Sequence, residues 1–104
     1  MSLHLNAFNR QAQGHEVFYH SQGTSADQRF AVIVNNALAN RLDIPNRGAK
    51  RLGLAVLAGV PLPTPAILTE AFFIDSVASA AILDRWNTLA ADAIAEGITQ
   101  FLLQ

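Results

Sequence analysis

Cysteine is absent, which excludes disulfides and thiolate metal sites. Charge is scarce: 14% of the 104 residues are Asp, Glu, Lys or Arg, and the formal net charge is −1. So even a balance offers no electrostatic attraction to nucleic acid or to anionic lipid. No apolar run approaches the ~20 residues that a membrane-spanning helix needs. The first residues also lack the basic start and apolar stretch of a signal peptide. What the chain does have is apolar side chain, at 51% of residues. That is rich for one small domain, here residues 1–104, because a high surface-to-volume ratio favours polar residues. The excess implies that a partner, another copy or a missing part of the same protein covers some apolar surface.

Residues 2–7 alternate Ser2, His4 and Asn6 with Leu3, Leu5 and Ala7, which is the period of a strand. Residues 15–20 read as a second strand, rich in β-branched and aromatic side chains. Ser25 with Gln28 fits a capping box, and Phe30, Ile33, Val34, Ala37, Leu38 and Leu42 follow at helical spacing. Asn46-Arg47-Gly48-Ala49-Lys50-Arg51 reads as a basic loop, and residues 52–57 as a third strand. Residues 59–65 hold three prolines and form a stiff loop before a fourth strand at 66–70. Asp75 or Ser76 caps a short helix through Leu83, and a long final helix runs from Trp86 to Leu102. Interleaved strands and helices predict an α/β fold, with a mixed, mainly parallel sheet of about four strands flanked by helices.

Two residues invite chemistry. Glu70 sits between Ala66-Ile67-Leu68 and Ala71-Phe72-Phe73-Ile74, where a charge is expensive unless it is paired, ligated or used. It either points to solvent, pairs with Arg47 or Lys50, or is buried with a raised pKa suited to a general base. His4 shares a strand face with Asn6, although a lone strand histidine is more often a surface or satisfied core residue. Glu16 and His20 share a face of the second strand at a spacing that zinc ligands use, a pattern commoner on an exposed strand face. The basic run 46–51 could hold a carboxylate or phosphate, but is more often a solvated loop. The aromatics Phe18, Tyr19, Phe30, Phe72, Phe73, Trp86 and Phe101 read as core.

Five ordered motifs carry a resemblance. They are Ser2-Leu3-His4-Leu5-Asn6-Ala7-Phe8-Asn9, Gly14-His15-Glu16-Val17-Phe18-Tyr19-His20 and Asn46-Arg47-Gly48-Ala49-Lys50, then Pro65-Ala66-Ile67-Leu68-Thr69-Glu70-Ala71-Phe72-Phe73-Ile74 and Ile94-Ala95-Glu96-Gly97-Ile98. Together they resemble the zinc-dependent N-acetylmuramoyl-L-alanine amidases of bacteria and their phages. The resemblance implies hydrolysis of the amide between N-acetylmuramic acid and L-alanine in peptidoglycan. It implies His4 as a zinc ligand and Glu70 as the catalytic carboxylate, with Asn6, Glu16 and Arg47 in support. In that family zinc polarises the scissile carbonyl and lowers the pKa of its water.

The match covers the C-terminal half of such a domain. The other two zinc ligands, on a glycine-rich His motif and a helix Glu, would precede it. The expected partners are therefore peptidoglycan or a muropeptide, with a homo-oligomer or an N-terminal half completing the sheet. The alternative is a non-catalytic, amidase-derived module that assembles through an open sheet edge. The expected setting is a bacterial or phage protein at the cell wall, or in the cytoplasm if non-catalytic.

Overall fold

A computed structural model describes residues 1–61 and 63–104; Leu62, in the proline-containing loop, lies outside the described residues. The strands are β1 (Ser2–Asn6), β2 (His15–Tyr19), β3 (Asn46–Arg51) and β4 (Leu68–Phe73). The helices are α1 (Ser25–Arg41), α2 (Ala55–Ala58) and α3 (Ala80–Leu102), with a 3₁₀ turn at Ile74–Ser76. One mixed sheet runs in the order β1-β4-β2-β3. β1–β4 and β2–β3 are parallel, and β2–β4 is antiparallel. This is the mixed, mainly parallel four-stranded sheet expected from the sequence.

The two sheet faces are covered unequally. On one, Val17, Tyr19, Ile67, Ala71 and Phe72 pack against Phe30, Val34 and Leu38 of α1 and Ala90 and Ala93 of α3. Phe72 is fully buried and meets Trp86 edge-on, with ring centroids 5.4 Å apart. On the other, among the described residues only α2 lies over the sheet, where Leu57 packs with Leu68, Ala66, Phe18 and Leu54. That thin cover leaves the middle of the face open, and the polar residues of interest stand there.

β4 starts two residues later and ends three later than the 66–70 expected, and four further assignments depart from the sequence reading, each for a physical reason. Asn46–Arg51 is a strand rather than a loop. It is an edge strand with one ladder partner, so its charged residues reach solvent without leaving the sheet. Residues 52–57 are not a strand: Leu54 and Leu57, three apart, both reach the small cluster on α2. Thr24, not Ser25, caps α1, in a capping box with Asp27. Asp27 Oδ1 also accepts the Ala66 N–H at 2.9 Å, tying the helix start to the approach to β4. Finally, neither Asp75 nor Ser76 caps a short helix through Leu83. Asp75 Oδ2 accepts the Phe8 and Arg10 N–H groups, and α3 starts after Ser79, whose hydroxyl accepts from Ile82.

Candidate active site

Register builds the site. In the parallel β1–β4 pair His4 stands opposite Glu70, and in the antiparallel β2–β4 pair Glu16 stands opposite Glu70. Three chemically active side chains thus lie in one row across three strands, with Glu70 in the middle. The register then slips, so that Asn6 faces Phe73. The extra residue on β4 is a bulge directly after Glu70; bulges of this kind re-aim side chains beside functional sites. His4, Asn6, Glu16 and Glu70 line one cavity of about 510 Å³, floored by Phe18 and Leu68.

Glu70 is half-buried, and its Oε2 has no hydrogen-bond partner among the described residues. Burial pushes its pKa up; the facing His4 draws it down, and the neighbouring Glu16 carboxylate pushes it up further. An unpartnered carboxyl with a raised pKa, aimed into a cavity, has the properties of a proton acceptor. His4 is exposed, and its Nε2 lies 2.8 Å from the Ser2 hydroxyl.

Glu16 is the charged hub. Its side chain is 6% exposed. Its Oε2 accepts from Lys50 Nζ at 2.6 Å and from Arg47 Nε at 3.3 Å, and its Oε1 accepts from Asn6 Nδ2 at 3.1 Å. Arg47 and Lys50 therefore pair with Glu16, not with Glu70 as one sequence alternative had it. They would fall on opposite faces of a regular strand. An irregularity in β3, where Glu16 faces Gly48 although His15 faces Asn46, brings both to one carboxylate. Gly48 has φ +91°, a conformation that side-chain-bearing residues avoid, and it carries this bulge.

The structure brings His4, Asn6, Glu16, Arg47 and Glu70 around adjoining cavities. It does not bring His20 to them. His20 lies past the end of β2, accepts the Gln22 N–H at its Nδ1, and faces a different hollow near Leu57. The Glu16 and His20 pair is therefore not assembled into a zinc site. Among the described residues no three His, Cys, Asp or Glu side chains converge to hold a metal. These residues alone do not fit a catalytic zinc, which takes three protein ligands and a water. Sequence reasoning missed the role of Lys50 and the polar chain that runs from buried His15 and Asn35 to exposed Asn46. In that chain His15 Nδ1 lies 2.8 Å from Asn35 Oδ1, and Asn35 donates to Asn46 Oδ1 at 2.8 Å. A glycine inside a polar strand was the signal for the first; it marks a bulge that alters which side chains share a face.

The sequence profile of N-acetylmuramoyl-L-alanine amidases matches residues 1–100. An uncharacterized cell wall amidase of Bacillus anthracis is 33% identical over 110 aligned residues, which span 97% of this chain and 20% of the relative. The crystal structure of an N-acetylmuramoyl-L-alanine amidase from Clostridium difficile 630 superposes with a TM-score of 0.86 at 26% identity, over 97% of this chain and 55% of that one. The catalytic domain of an amidase from Bacillus (Paenibacillus) polymyxa gives 0.78 at 27% identity, over 97% of this chain and 55% of that domain. The chain thus spans about half of these solved domains and a fifth of the curated relative. It belongs to the N-acetylmuramoyl-L-alanine amidase family.

Proposed function

We propose that this chain forms the Glu70 half of a peptidoglycan amidase site at the bacterial cell wall. The site hydrolyses the amide between N-acetylmuramic acid and L-alanine. The observation that carries this reading is the row His4–Glu70–Glu16, in which a half-buried carboxyl with an unpartnered Oε2 among the described residues stands between a histidine and a second carboxylate. In the reaction a water oxygen adds to the scissile carbonyl carbon and Glu70 takes its proton. The C–N bond then breaks as that proton passes from Glu70 to the amine nitrogen. The products are a lactyl carboxylate on the sugar and a peptide with a free L-alanine amine. Zinc belongs to the proposal through His4 alone, and its other ligands would come from outside these residues. Asn6 and Arg47 hold Glu16, and Glu16 fixes the electrostatics around Glu70.

Incubation of the chain with purified peptidoglycan, zinc and an N-terminal amidase half that supplies the other ligands, followed by mass spectrometry, tests this. New L-alanine N-termini without broken glycan strands support it; cleavage at any other bond contradicts it. One observation favours a second reading, a non-catalytic assembly module. β1 is a sheet edge whose Leu3 and Leu5 are 65% and 37% exposed. Such an edge pairs readily with another strand. Under that reading light scattering finds an oligomer, and peptidoglycan stays intact.

A further inference from the structure

We propose that Arg47 forms a carboxylate-binding subsite that receives an acidic group on the peptide side of the substrate. The inference rests on the amidase reading and adds to it the substrate feature that the site selects.

Charge comes first. Glu16 is one carboxylate facing two cations, and Lys50, at 2.6 Å, is the closer. Arg47 spends only its Nε on Glu16, at 3.3 Å. Its Nη1 and Nη2 make no hydrogen bond to another described residue. The guanidinium therefore keeps its forked end, the part whose geometry matches a carboxylate bidentately.

Placement comes second. The guanidinium carbon lies 5.0 Å from the centre of the Phe73 ring, so the cation is held over the ring face as well as by Glu16. The stem of Arg47 runs past Gly14. A Cβ there would come within 2.8 Å of Arg47 Cγ and 2.5 Å of the Pro45 carbonyl, and Gly14 has φ +122°. Glycine is thus required where the arginine passes. A cation fixed at stem, Nε and ring face loses little freedom on binding an anion.

The third element is the cavity. Arg47 lines a hollow of about 430 Å³ with Asn6, Phe8, Asn9 and Phe73, and among the described residues the only acidic one on its wall is Glu16, already paired. Asn6 and Glu16 are shared with the cavity that holds Glu70. A substrate with its scissile amide at Glu70 therefore has a cationic pocket next door. A carboxylate carried on the peptide side of the scissile amide is the group that such a pocket would receive.

Direct binding tests this apart from catalysis. Amide NMR shifts are followed while the protein is titrated with N-acetyl-L-alanyl-D-glutamate or with its diamide. The diacid should bind at least about tenfold more tightly, shifting residues around Asn6, Phe8 and Arg47. Arg47→Gln should erase the preference, and Arg47→Lys should retain only part of it. Equal binding of diacid and diamide by the unmodified protein overturns the proposal without relying on any variant. So does undiminished diacid preference in Arg47→Gln. If the preference holds but peptidoglycan is not cut even when an N-terminal amidase half and zinc are supplied, the carboxylate subsite stands and the amidase reading falls.

Discussion

Replacing Glu16 with Gln asks how much the charged hub contributes to the fold. The side chain keeps its shape and can still accept from Asn6, but the charge facing Lys50 and Arg47 is lost. Breaking a fully buried ion pair costs ~3–5 kcal/mol, and an exposed pair contributes ~0–1. Here the carboxylate is 6% exposed but the Arg47 and Lys50 side chains are 39% and 42% exposed, so the stranded cations can rehydrate. The expected loss lies between the limits, at ~1–3 kcal/mol with ~2 as the central figure. For a chain of this size that lowers Tm by roughly 8–16 °C. Equilibrium urea unfolding near neutral pH measures it, and an unchanged slope against denaturant shows that only stability moved. A loss under ~0.5 kcal/mol would refute the reasoning, because it would mean that hydration of the two cations fully replaces the carboxylate.

Other consequences follow from burial and packing. The raised pKa of Glu70 places the acid limb of the pH–rate profile above the ordinary glutamate range, and Glu16→Gln should move that limb down by removing a neighbouring negative charge. Glu70 has the reverse effect on folding: a carboxyl raised in the native state contributes stability at low pH that is lost as pH rises through its folded pKa. Glu70→Gln should therefore flatten that part of the stability curve. The His15 imidazole is held below its usual range by burial, offset in part by its bond to Asn35. Between its folded pKa and the unfolded value near ~6.5 the unfolded chain binds more protons, so stability should fall as pH drops from ~7 towards 5. His15→Gln should lessen that slope, as read by urea midpoints at each pH. Gly97→Ala should destabilise by ~1 kcal/mol despite better helix propensity, because the new Cβ would lie 2.9 Å from the Val34 Cα, a backbone atom that cannot swing away.

Elements with a strong apolar period were readable from the chain. β2, α1, β4 and the last four turns of α3 all showed their buried faces in sequence. β3 was not readable, because an edge strand carrying Arg47, Lys50 and Arg51 shows no apolar alternation; its strand character comes from pairing with β2. The extra turn at the start of α3 was misassigned because Asp75 resembles a cap locally, whereas the fold uses it to hold the 8–10 backbone. Glu70 and His4 stood out in sequence as a costly charge and a strand histidine. Their opposition across β1 and β4 depends on a parallel register that no local pattern records. The pairing of Glu16 with Lys50 depends likewise on the β3 bulge at Gly48.

The central claim is that Glu70 moves the proton when the muramic acid–L-alanine amide is cut. Release of L-alanine N-termini from purified peptidoglycan is compared between the protein and its Glu70→Gln variant, each supplied with zinc and with an N-terminal amidase half that carries the other ligands, at equal folded concentration. That comparison tests the claim most directly. The account predicts release by the unsubstituted protein and a ~10²–10⁴-fold slower rate for the variant. Equal rates for the two would contradict it.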